Sequence, residues 1–195
     1  MKRDPLAVAD ASSEGAYCGH VINLIREQDV VFLFTEMQLI LRPGSVFRVT
    51  GINDELLYRA YPARDEYVFR GLGNPGATIG ELFIGHVAAH RLPGTEPRVK
   101  KIDDDGLARL ATTLPFLEFL DTICSEIDVT YLDRMPCANI TWWSFDKIER
   151  LLLEAGFSVV ERSGMGQSRC PVMRDLTLFD DNSLNKVTLY VDAIV

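Results

Sequence analysis

Apolar positions along this chain change rhythm several times, and the changes outline an order of elements. Ala16-Tyr17-Cys18-Gly19-His20-Val21 is a short, mostly apolar run that suits a buried strand ending in a turn-like Gly-His. Asp29 then opens a helix: it can cap the first-turn amides, and Val30, Leu33, Phe34, Met37 and Ile40/Leu41 follow at helical spacing. Arg42-Pro43-Gly44 is expected to stop that helix, and Val46-Phe47-Arg48-Val49-Thr50 has the β-branched and aromatic make-up of a strand. Strand, helix and strand at this spacing predict a βαβ unit, hence a parallel pair with a right-handed crossover.

From about Asp54 to Trp143 the rhythm is mainly helical and often broken. Asp54–Ala60 and Ile79–His90 read as helices, separated by the loop Gly71-Leu72-Gly73-Asn74-Pro75-Gly76. Leu92-Pro93-Gly94-Thr95-Glu96-Pro97 breaks the chain again. Asp103-Asp104-Asp105 precedes a helical pattern from Leu107 to Leu114, and Pro115 interrupts it before Phe116, Phe119, Leu120 and Ile123 resume. Long loops in a compact domain are often functional, so residues 54–143 are expected to form a helical insertion that acts as a lid.

A regular pattern returns at Ser144. That residue caps a helix with Ile148, Leu151, Leu152 and Ala155 on one face, and Gly156 ends it. Phe157–Arg162 alternates as a strand, Ser163–Ser183 reads as a loop, and Lys186–Val195 closes the chain as a strand.

Charge and cysteine usage narrow the function classes. With 28 acidic against 20 basic residues the net charge is −8, which repels a phosphate backbone and argues against nucleic acid as the main partner. Cys18, Cys124, Cys137 and Cys170 show no CxxC pair, which argues against a zinc knuckle and against a disulfide framework. No run approaches the roughly 20 apolar residues of a membrane span. The opening Met1-Lys2-Arg3-Asp4-Pro5 is too polar for a signal peptide, so the cytoplasm is the expected compartment.

Three stretches in order resemble class I S-adenosylmethionine-dependent methyltransferases. Asp10–Val21 resembles the segment leading through that family's fourth strand, which ends in Ser-His-Val/Leu. Leu41-Arg42-Pro43-Gly44-Ser45-Val46-Phe47 resembles its L-K/R-P-G-G turn into the fifth strand. Phe145–Phe157, with Ala155-Gly156-Phe157, resembles the helix ending in A-G-F before the sixth, and Leu189–Ala193 matches the last, antiparallel strand. The resemblance implies an α/β fold: a partial Rossmann-like sheet of parallel strands with one antiparallel C-terminal strand, plus the helical insertion, in one truncated domain spanning 1–195. It implies a transferase acting on a small-molecule acceptor, with S-adenosylmethionine as cofactor and Cys18, Gly19 and His20 near it. His20 equally reads as a structural histidine.

Departures from the family pattern carry their own expectation. Asn23-Leu24 stands where the family has Glu-His, and Ser45 replaces the second glycine of the turn. No glycine-rich loop follows an N-terminal strand, and no acid ends a second strand after it; these features hold the cofactor in the family. The alternative function is therefore a non-catalytic remnant or partner subunit without the cofactor-binding half. The sheet flank exposed in that case is expected to be covered by a second copy, a partner chain or the insertion. No metal site is expected: Asp103-Asp104-Asp105 suits a solvated helix start, and His86 and His90, four apart on one helix face, have no Glu of an H-E-x-x-H motif between them. Trp142-Trp143 either lines a cleft or staples the helix that follows.

Overall fold

The computed structural model describes residues 4–73, 75–94, 100–179 and 184–195. Asn74 of the glycine-rich loop, Thr95-Glu96-Pro97, and the end of the expected 163–183 loop lie outside the described residues. Strand β1 (Ser13–Gly19) runs through a short 3-10 turn into α1 (Glu27–Ile40), which passes directly into β2 (Leu41–Ile52). The helices α2 (Asp54–Ala60), α3 (Glu66–Phe69), α4 (Ile79–Val87), α5 (Asp104–Thr113), α6 (Phe116–Cys124) and α7 (Val129–Arg134) follow. The chain then returns through α8 (Phe145–Glu154), β3 (Val159–Ser163), α9 (Leu176–Phe179) and β4 (Thr188–Ile194).

These strands make one sheet in the order β1-β2-β4-β3. β1 and β2 are parallel, and β4 runs antiparallel to both β2 and β3. The reversed terminal strand is thus inserted between parallel ones, as the resemblance implies, and the α/β fold class holds.

Alternation along the strands separates two faces. Phe47 and Val49 of β2 and Val191 of β4 turn toward α1 and α8 and pack with Phe34, Leu152 and Phe157. Phe47 is gripped edge-on by Phe34 and stacked on Phe157. The opposite face is polar at its centre. Arg48 turns inward to a carboxylate: Nη1 donates to Asp192 Oδ1 at 2.8 Å, with both side chains buried. The rest of the pair is supplied by the strap after β3. Arg48 donates to Ser163 Oγ and Gly164 O, while Asp192 Oδ2 accepts from Ser168 Oγ and Arg169 N.

Several boundaries differ from expectation for local reasons. α1 starts at Glu27, and Asp29 is not its cap: it sits inside the first turn, 3.2 Å from Arg26 Nε, where an acid still favours the helix start. Pro43-Gly44 does not stop α1, which ends at Ile40; Gly44, at φ +80°, lies within β2, and its N–H reaches Val195 O. His86 and His90 share no helix face, because α4 ends at Val87 and His90 belongs to the 3-10 turn Ala89–Arg91. The expected loop after β3 contains a 3-10 turn at Pro171–Arg174 and α9. Ser144 caps α8 as expected, Asp103 caps α5, and Pro115 separates α5 from α6.

Helices α2 to α6 gather around a second apolar cluster, in which Leu57, Phe83, Val87 and Phe119 meet Ile52 of β2 and Val187 of the turn before β4. This cluster places them over the carboxyl end of β2. Among the described residues no helix is long and apolar enough to cross a membrane.

Val49→Asp puts an unpaired charge into the fully buried α1–α8 face of the central strand. It should cost several kcal/mol, a large share of a domain's stability. Chemical denaturation checks this: an unchanged unfolding midpoint would mean that β2 is not the centre of the core.

Candidate functional site

The carboxyl ends of β1 and β2 meet at one edge of the sheet, where open α/β sheets receive ligands. β1 leaves its ladder at His20, whose N–H donates to Thr50 O at 3.0 Å and whose φ is +52°. Histidine is among the few non-glycine residues that enter this left-handed region with any frequency, and the turn redirects the chain toward α1. The His20 ring holds Nε2 3.3 Å from Thr188 Oγ1 at the start of β4.

The Tyr17 ring lies over Gly19. A Cβ there would come within 2.7–2.9 Å of the Tyr17 ring. Tyr17 donates its hydroxyl to Phe179 O at 2.8 Å and stands edge-on to the Phe179 ring. Cys18 points the other way, into the core beside α1, and burial pushes its thiol up to about 11, away from thiolate chemistry. The structure therefore gathers Gly19 and His20 with Tyr17, Thr50 and Thr188 and leaves the Cys18 side chain apart.

A buried polar knot lies next to His20. Asn23 Oδ1 accepts from Ile52 N at 2.9 Å, while Nδ2 donates to Thr141 O at 3.3 Å and Asp54 Oδ2 at 3.4 Å. Asp54 Oδ2 also accepts from Trp143 N at 2.6 Å, and Asp54 N returns a bond to Trp143 O. The other carboxylate oxygen, Oδ1, is buried without a hydrogen-bond partner. Burial pushes the Asp54 carboxyl well above the ordinary carboxylate range, against the opposing pull of the Trp143 amide and the Lys147 charge.

In the sequence Asn23 stands out only as a family departure and Asp54 only as a helix start. An acid directly after a strand was the available signal; its partner, 89 positions away, was not.

Beyond the end of β1 a cleft of about 520 Å³ opens between the α1 start and α7. Val21, Leu24, Ile25 and Leu132 line it, with Arg26 and Asp29 at one wall. Trp142 and Trp143 are both buried: Trp143 Nε1 donates to Ile22 O at 2.9 Å, and Trp142 Nε1 donates to Asp121 Oδ1 at 2.8 Å.

No family model and no curated protein matches the chain. Solved structures do. It is similar over all of its length to 61% of an S-adenosylmethionine-dependent methyltransferase, a possible histamine N-methyltransferase, from Thermotoga maritima, at 12% identity and TM-score 0.41. It is similar over 97% of its length to 62% of one from Archaeoglobus fulgidus, at 8% identity and TM-score 0.41. A third, from Mesorhizobium loti, is covered to 67% at 15% identity and TM-score 0.45. The chain thus spans about three fifths of the length of the first two.

The sheet itself, with its reversed last strand set between parallel ones, carries the assignment of fold. The fold is α/β, built on a mixed four-stranded sheet.

Because folding raises the Asp54 carboxyl pKa, the native state keeps a proton that the unfolded chain releases at lower pH. Stability therefore falls as pH rises through the window between the ordinary and the raised value. Asp54→Asn preserves shape, keeps an acceptor for Trp143 N and removes the titration. Its unfolding midpoint should fall less than that of the wild type from mildly acidic to neutral pH. Parallel pH profiles would mean that Asp54 ionises freely in the fold.

Proposed function

We propose that this chain is the acceptor-side portion of an S-adenosylmethionine-dependent methyltransferase acting on a small molecule, with the helices of residues 54–143 lying over the site as its lid. The reading is supported by one observation above the others. The parallel strands β1 and β2 end together at Gly19-His20 and Asn53-Asp54, under that helical layer and beside the 520 Å³ cleft. Methyl transfer rests mainly on alignment of an acceptor atom with the sulfonium methyl, so a shaped, water-poor edge can supply much of the rate without an acid–base pair. In this reading Gly19 and His20 are the residues of this chain nearest to the cofactor, at the border between its cradle and the acceptor side.

The residues present do not by themselves make a cradle for that cofactor. Both glycines near the strand ends are already filled: Tyr17 packs over Gly19, and a Cβ at Gly51 would fall 2.8 Å from Asn23 Oδ1. Asp54, the acid just after β2, is fully buried and tied to Trp143, so it has no free carboxylate for a ribose diol. The strand ends of residues 1–195 thus shape the acceptor side alone.

The outer flank of β1 suits the further strands that such a cradle needs. Among the described residues no strand pairs with its outer edge, and an unpaired edge is a template for another strand. We assign that edge to strands not contained in residues 1–195. The filled glycines equally favour a second reading, a non-catalytic partner subunit that retains only the acceptor side.

Calorimetric titration with S-adenosylmethionine tests the proposal. The isolated chain should show weak or undetectable binding. Micromolar affinity would overturn the assignment of the cofactor cradle to other strands.

A further inference from the structure

The groove between α6 and the start of α8 carries chemistry that the strand-end site does not use. Its cavity measures about 610 Å³, in the range of clefts that take small organic ligands. α6 contributes Phe116, Leu117 and Asp121, the last two one turn apart on the same face, and α8 contributes Asp146, Lys147 and Arg150.

Lys147 already fills the indole-faced corner of the groove. Its side chain is only 10% exposed, and its ammonium lies 3.9 Å from the Trp142 ring centroid and 4.8 Å from that of Trp143. Glu27 Oε2 at 2.8 Å and Trp142 O at 3.2 Å complete the cage. An ammonium held between indole faces, a carboxylate and a carbonyl is the arrangement by which proteins recognise organic cations.

The charges left over in the groove have the same sign. Glu27 is matched by Lys147, Glu55 by Arg59, and Arg150 by Glu154. Asp121 accepts only the neutral Trp142 N–H, and neither it nor Asp146 has a basic partner among the described residues. A position in the first turn of α8 accounts for Asp146, but Asp121 lies in the last turns of α6, where the helix field disfavours an acid. The acids line a wall and do not converge: among the described residues no group of three or more His, Cys, Asp or Glu could hold a metal ion. A compact divalent cation is therefore a poor occupant, and a diffuse one on an apolar body is a good one.

We infer that this groove binds an organic ammonium ion carried on an apolar or aromatic body, with the charge against Asp121 and Asp146 and the body against Phe116 and Leu117. The inference rests on the groove alone and does not require methyl transfer.

Titration calorimetry with 2-phenylethylammonium, and with 2-phenylethanol and phenylacetate as its neutral and anionic counterparts, tests it without any cofactor. The ammonium should bind saturably and more weakly at higher salt, and the two counterparts should not. Asp121→Asn, which keeps the acceptor for Trp142 Nε1, and Asp146→Asn should each weaken binding by roughly tenfold. Circular dichroism and the unfolding midpoint verify that each variant is folded, and either variant alone suffices. Equal binding of the alcohol, wild-type affinity in the folded variants, or no ammonium binding by the folded wild type would overturn the inference.

Discussion

Three distant segments of this chain meet at the side chains of Asn23 and Asp54. The amide of Asn23 extends the β2 ladder by accepting from Ile52 N, and its main-chain oxygen accepts from Ile140 N at 2.8 Å. Asp54 receives Trp143 N where the helical segment rejoins the sheet. One knot thus sets the turn after β1, the exit from β2 and the return into α8. The tryptophans, the Lys147 cage and the groove along α8 all depend on where that return is pinned. Such buried networks are strong when satisfied and costly when they are not, and the orphaned Asp54 Oδ1 is the point at which this one is incomplete.

The far side of the sheet solves a different problem. A doubly wound fold normally covers both faces with helices, but here the face opposite α1 and α8 carries Arg48 and Asp192 at its centre. These two residues are direct cross-strand partners, and the Tyr190 ring lies 5.0 Å from the Arg48 guanidinium. Desolvating an ion pair is costly, and the strap after β3 offsets the cost with further donors and acceptors. The pair also fixes register, because a one-residue slip of β4 would send Asp192 into the apolar face.

Much of the fold was legible because local signals and tertiary demands agree. The β-branched run at Val46–Thr50 is a central strand, Ser144 and Gly156 bracket α8, and Pro115 divides two helices. Legibility failed where a neighbour decides the matter. α3 and α7 are short, and α7 owes its place to packing of Tyr131 with Ala138 and Ile140, which no periodicity announces. His86 and His90 have helical spacing, yet the helix ends between them. At the site, His20 could be read from its place after an apolar strand. Asn23, Asp54 and Lys147 could not, since each takes its role from partners brought near only by folding.

Among the described residues β1 is an edge strand, paired with β2 on one side only. His20 N bonds to Thr50 O, so the even-numbered amides of Ala16 and Cys18 also face β2, while those of Gly15, Tyr17 and Gly19 face outward. Residue-resolved hydrogen exchange of the isolated chain under native conditions tests this directly. Slow exchange is expected at Ala16, Cys18 and His20 and fast exchange at Gly15, Tyr17 and Gly19. Equal protection at all six amides would contradict it, because the outer edge of β1 would then already have a partner.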